Sequence, residues 1–168
     1  MALGRTTFTI IGAAVMLSTS VGYVAERPVL GASREVFVSQ LGTPVRETSD
    51  FADFMKCPGR TAVAEWSISF SSGKASAITK NACPGTKHDT QQALTEARLI
   101  MPSDAVRGAA FVASDGWNAR AYHSRGLAKL LPKESARACK GAAAPAGSFF
   151  YLLSPERSMW MVAAGLCP

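Results

Sequence analysis

The sequence predicts an α+β fold in which short helices pack on antiparallel hairpins. Three observations carry this. From Ala62 to Phe70, Trp66, Ile68 and Phe70 alternate with Glu65, Ser67 and Ser69, and Ser71-Ser72-Gly73 follows as a turn. Such period-2 alternation is that of a strand with one dry face. Ala93, Leu94, Ala97, Ile100 and Met101 fall on one face at helical spacing. Asp115-Gly116 is the strongest hairpin signal in the chain.

The chain has 168 residues, enough for one domain or two small ones. At 48% hydrophobic and 18% charged it is globular in composition rather than disordered. Much of the apolar content is alanine, which buries little area per residue, so the core is expected to be thin and to need covalent support.

Residues 1–25 read as a signal peptide, with Arg5 as the positive start, Ile10 to Leu17 as the apolar run, and Ser18, Ser20 and Gly22 as small residues near a cut after Ser20 or Gly22. The alternative is an uncleaved anchor, since Phe8 to Ala25 reaches the short edge of a membrane span. No cysteine lies near the cut, which excludes a lipid-modified N-terminal cysteine. The expected location is extracytoplasmic, periplasmic or secreted, or membrane-anchored and facing outward.

Ser33 is placed to N-cap a helix over Arg34 to Leu41, which Gly42 and Pro44 stop. Residues 45–60 read as irregular, with one turn of helix near Asp50 to Met55. Lys74 to Lys80 is the strand returning from Gly73. Asp89 and Gln92 start a helix running to about Ile100, ended by Pro102. Arg107 to Ser114 and Trp117 to Tyr122 flank Asp115-Gly116. Ser124 caps a helix with Leu127, Leu130 and Leu131 as its dry edge, and Pro132 ends it. Phe149 to Leu153 and Met159 to Ala164 are the closing strands.

The even cysteine count in an exported chain points to two disulfides. Two stretches look alike: a short helix, a cysteine, a hairpin and a closing Cys-Pro. The first spans residues 26–85 and holds Cys57 and Cys83. The second lies within residues 89–168 and holds Cys139 and Cys167. This internal repeat favours pairing within units, Cys57 with Cys83 and Cys139 with Cys167. A zinc site lacks the required close cysteine spacing. The two units are expected either as separate sheets or as one merged sheet.

Leu41-Gly42-Thr43-Pro44, the strand Glu65-Trp66-Ser67-Ile68-Ser69-Phe70 and Gly73-Lys74 resemble the SmpA/OmlA-like small envelope proteins over residues 34–80. The β-lactamase inhibitory proteins are similar, with two helix-plus-sheet units in tandem. The resemblance implies a protein that binds other proteins through sheet and loop surfaces and does no chemistry. The lipid-bearing cysteine of the envelope lipoproteins is missing, so their outer-membrane anchoring does not carry over.

Candidate chemistry is sparse. His123, Ser124 and Asp115 are the pieces of a hydrolase triad, but sequence neighbours rarely face each other productively. His88 and His123 with Asp89, Asp104 or Asp115 match no known metal spacing. Trp66, Trp117 and Trp160 lie on expected strands, where core packing is the ordinary role. Trp117, beside a hairpin turn, is the best recognition aromatic, and Asn118, Arg120 and Tyr122 share the opposite face of its strand.

The function expected is therefore a non-enzymatic exported binding module with no cofactor or metal. Its partner is a protein or an anionic envelope component, since the net charge of +6 is scattered and favours anionic partners without marking a nucleic-acid site. A structural envelope protein and a small secreted hydrolase are the alternatives.

Overall fold

The computed structural model describes residues 26–59, 62–113, 116–137 and 144–166. The signal segment 1–25, Asp115, and the expected Cys139–Cys167 pair lie outside the described residues. The element order is α1 (Arg34–Leu41), β1 (Arg46–Glu47), β2 (Phe51–Lys56), β3 (Ala64–Ser71), β4 (Lys74–Asn81), α2 (Thr90–Leu99), β5 (Val106–Val112), β6 (Asn118–His123), α3 (Arg125–Leu130), β7 (Ser148–Leu153) and β8 (Met159–Ala164). All eight strands form one antiparallel sheet in the order β1-β2-β3-β4-β8-β7-β6-β5. The merged sheet of the two expected arrangements is the one observed.

Each half is a four-stranded meander, and the last strands of the halves meet at the centre. There β4 and β8 pair from Ala77↔Ala163 to Asn81↔Met159. In this topology α1 and α2 hold matching places ahead of their meanders, whereas α3 is inserted between β6 and β7. The repeat expected from the sequence instead aligns the helix ahead of Cys57, α1, with the helix ahead of Cys139, α3.

The helices share one face of the sheet. Phe37 of α1, Ala93 and Ala97 of α2, and Leu127 of α3 join Phe54, Ile68, Ile78, Tyr151, Trp160 and Val162 in the main core. A smaller cluster on the opposite face gathers Ala119, Phe150, Leu152 and Ala163. Strand β7 is buried on both faces, which explains its unbroken apolar run. Phe37 meets Phe70 edge to face at 5.9 Å. Arg34 stacks 4.4 Å from the Phe70 ring and donates to the carbonyls of Thr48 and Ser49, tying α1 to the β1–β2 turn.

The lead-in to α1 and the side chain of Lys80 tie the halves together. The Leu30 N–H donates to the Ile100 carbonyl at the end of α2, in the other half, while the Gly31 N–H donates to the Ala75 carbonyl of β4, within its own half. Lys80 of β4 pairs with Glu96 of α2 at 2.9 Å and with Glu65 of β3 at 3.6 Å, while lying 5.1 Å from the Trp66 ring. Burial pushes the Glu96 carboxyl up, but the Lys80 and Gln92 hydrogen bonds outweigh it and leave the pKa below its ordinary value.

Several expectations are corrected. Residues 46–47 and 51–56 are strands β1 and β2, not irregular chain or helix. Ala52 and Phe54 point into the core, and the buried Asp53 between them is satisfied by Arg46 at 2.7 Å and the Ser67 hydroxyl at 2.6 Å. Ser33 stands at the N-cap of α1 without a side-chain cap bond, its hydroxyl instead donating to Glu35 and lowering that carboxyl's pKa. Leu130 is half exposed, so the dry edge of α3 is Leu127 and Leu131 alone.

Cys57 and Cys83 are bonded, with Cα atoms 5.5 Å apart. The bond closes the ends of β2 and β4 around β3, where small side chains specify register poorly. Replacing both cysteines by serine is expected to cost about 3–4 kcal/mol from the closed-loop entropy. Ile78→Ala at the central seam is expected to cost about 2–5 kcal/mol. Denaturant unfolding of each variant against the oxidised protein checks both values.

Candidate functional site

Helix α2 lies over β7 and β8, contacting both. Beyond its flank the sheet continues as β6 and β5, and a groove opens between helix and strands. Leu94, Arg98 and Met101, at i, i+4 and i+7, line the helix side. The strand side follows from cross-strand register. Arg107 of β5 stands opposite Tyr122 of β6, and Arg120 of β6 opposite Tyr151 of β7.

The groove has two adjoining parts that share Arg98, Arg107 and Tyr122. The smaller, about 350 Å³, is lined by these and by Asn118, Arg120 and Tyr151. The larger, about 680 Å³, has apolar walls from Val29, Met101, Pro102 and Ala105, with Glu26 and Arg27 also lining it.

Arg98, Arg107 and Arg120, from three elements, therefore line one groove together with Arg27, which donates to the Leu99 carbonyl at 3.1 Å. Among the described residues, Arg98, Arg107 and Arg120 take part in no ion pair. Arg120 donates to the Gly108 carbonyl at 3.2 Å, which orients its guanidinium without neutralising it. Tyr122 is buried and stacks on Phe149 at 5.3 Å.

Tyr151 is only 8% exposed, and its hydroxyl is buried without a hydrogen-bond partner among the described residues. Burial first, and the neighbouring Tyr122 second, push its pKa up to about 12. The group is thus a neutral O–H donor at neutral pH, held where an unmade hydrogen bond is costly.

The expected recognition set divides between the two faces. Asn118, Arg120 and Tyr122 line the groove, while Trp117 packs against the small cluster on the other face. Arg98, Arg107 and Tyr151 were not foreseen. Trp160 is fully buried, edge to face with Trp66 at 5.6 Å, so both of these belong to the core.

No family model matches the chain, and no curated protein or solved structure matches it.

Of the triad pieces, the described Ser124 and His123 each bond elsewhere and not to one another. Ser124 is fully buried, donates to Asp104 Oδ1 at 2.5 Å and accepts from the Leu127 N–H at 2.9 Å. It is the N-cap of α3, with Asp104 as the outer member, since Asp104 also accepts from the Gly126 N–H at 2.9 Å. The His123 ring instead meets the Ala146 carbonyl at 3.0 Å. His88 meets the Lys80 carbonyl at 3.2 Å. Among the described residues no cluster of three or more His, Cys, Asp or Glu could hold a metal ion.

The Ser124 hydroxyl first, and the Gly126 N–H second, hold the Asp104 carboxyl below its ordinary pKa. A lowered carboxylate contributes stability that is fully present above its unfolded pKa, about 4, and is lost as pH falls through the folded value. The stability gap between wild type and Asp104→Asn is accordingly expected to hold from pH 7 to about 4 and to narrow below it. Ser124→Ala is expected to cost about 1–2 kcal/mol as a lost cap. Thermal melts across pH read both.

Proposed function

We propose that the chain is an exported binding module of bacterial type, recognising a protein or an anionic component of the cell envelope and performing no chemistry itself. The groove between α2 and β5–β6 is its recognition site. The observation that carries this is the set of three arginines, Arg98, Arg107 and Arg120, that among the described residues have no ion-pair partner and line one groove. Cations left without carboxylates on rigid elements favour an arriving anion, and arginine suits planar oxyanions best.

Export is supported by the signal-like residues 1–25 and by the Cys57–Cys83 bond, which is compatible with an oxidising compartment. Among the described residues no helix is long and apolar enough to cross a membrane. We extend the reading to the outlying cysteines. The Leu166 N–H donates to the Arg137 carbonyl at 3.0 Å, so chain positions flanking Cys139 and Cys167 are adjacent, which favours their pairing. The resemblance of residues 34–80 to the envelope proteins agrees with such a role. The matching meanders are in keeping with a duplicated unit.

The test is paired capture from a cell-envelope extract by the wild-type protein and by R98Q/R107Q/R120Q. A component held by the first and lost with the second is the expected result. Equal retention by both would remove the groove from the account. Ester hydrolysis that disappears on replacing His123 would overturn the non-enzymatic reading.

A further inference from the structure

The two parts of the groove differ in chemistry, and the difference bears on what fits. The smaller part gathers Arg98, Arg107 and Arg120 and is also lined by Tyr151. The larger is walled by Val29, Met101, Pro102 and Ala105. Arg98, Arg107 and Tyr122 belong to both, so a single molecule can span them. Among the described residues Glu26 is the one carboxylate lining the groove, and it belongs to the larger part alone.

From this geometry we infer that the groove binds an anionic amphiphile, with its phosphate or carboxylate head among Arg98, Arg107 and Arg120 and its apolar portion along Val29, Met101 and Pro102. The inference rests on the binding-module reading and names its ligand class. The charges supply what an oxyanion needs, because guanidinium groups donate in planar pairs and hydrogen bonds to ionised acceptors are the strong ones. The apolar wall explains why the site is larger than a bare anion requires.

Two sources share this chemistry, a membrane lipid and a soluble amphiphile. Calorimetry of the oxidised protein would use dihexanoyl phosphatidic acid below its micelle concentration, with inorganic phosphate and dihexanoyl phosphatidylcholine as comparisons. The expected result is binding of the phosphatidic acid at least about tenfold tighter than of either comparison, each of which lacks part of the match. R107Q and R120Q should each weaken it by about tenfold. Lys56→Gln, which removes the same charge from the exposed end of β2, should leave it unchanged.

Tyr151→Phe is expected to leave the protein as stable or more so, since it removes a buried hydroxyl that has no partner among the described residues, and so separates the tyrosine from the arginines on which binding depends. Co-sedimentation with phosphatidylglycerol vesicles, dependent on the same arginines, identifies a membrane lipid. Binding of the monomer without co-sedimentation identifies a soluble amphiphile.

Binding of inorganic phosphate as tightly as phosphatidic acid would overturn the apolar half of the proposal. Absence of both monomer and vesicle binding, or indifference to R107Q and R120Q, would overturn all of it. Envelope capture that still depends on the groove would then leave the binding-module reading standing without this ligand.

Discussion

The pairing of β4 with β8 is the contact on which the rest of the structure depends. Each meander has one face to bury and, alone, two edges to protect. Joining the final strands removes one edge from each half and makes a continuous floor for three helices. Ala77 opposite Ala163 and Ile78 opposite Val162 keep the seam narrow and apolar on both faces. The strap at Leu30 and Gly31 and the Lys80–Glu96 pair then lock α2 across it. Lys80 is mostly shielded and engages two carboxylates and an indole together, a stronger arrangement than an exposed pair would be.

This arrangement sets where the groove lies. With α2 over β7 and β8, its outer flank cannot also cover β6 and β5. Side chains on the helix-facing side of those strands are therefore left along an open margin, and they are arginines and tyrosines rather than leucines. The first half handles a similar position differently. There Arg34 closes the margin by stacking on Phe70 and capping two carbonyls. Among the described residues the second half leaves Arg98, Arg107 and Arg120 without ion pairs and the Tyr151 hydroxyl without a partner.

Much of the fold was legible because pattern and punctuation agreed. The 64–71 and 74–81 hairpin announced itself through Trp66, Ile68 and Phe70 and the Ser72-Gly73 turn, both residues of which have positive φ. Asp89 and Ser124 were legible as caps, and both accept the expected N–H. Strand β2 was not, because a buried Asp53 interrupts its apolar positions and only the distant Ser67 and nearby Arg46 make that burial tolerable. The groove was half legible. A regular ladder from the Gly116 turn would set Gly108 opposite Tyr122 and turn Arg107 to the other face. A register shift between Arg107 and Ala110 brings Arg107 opposite Tyr122 instead. Gly108 suits that irregularity, since a Cβ there would lie 3.2 Å from the Ala121 carbonyl oxygen. Arg98 and Tyr151 come from other elements and meet the groove only through the tertiary packing of α2 on β7.

Native-state hydrogen exchange at the seam tests the merged sheet most directly. If the two meanders fold as one unit, the hydrogen-bonded amides within Ala77–Asn81 and Met159–Ala163 exchange only through global unfolding, and their opening free energies agree with each other and with the value from denaturant. Two distinct opening free energies, one shared by the residues of β2–β4 and another by those of β6–β8, would show that the halves unfold independently. The seam would then be a contact between finished units rather than the element that positions α2 and the groove beside it.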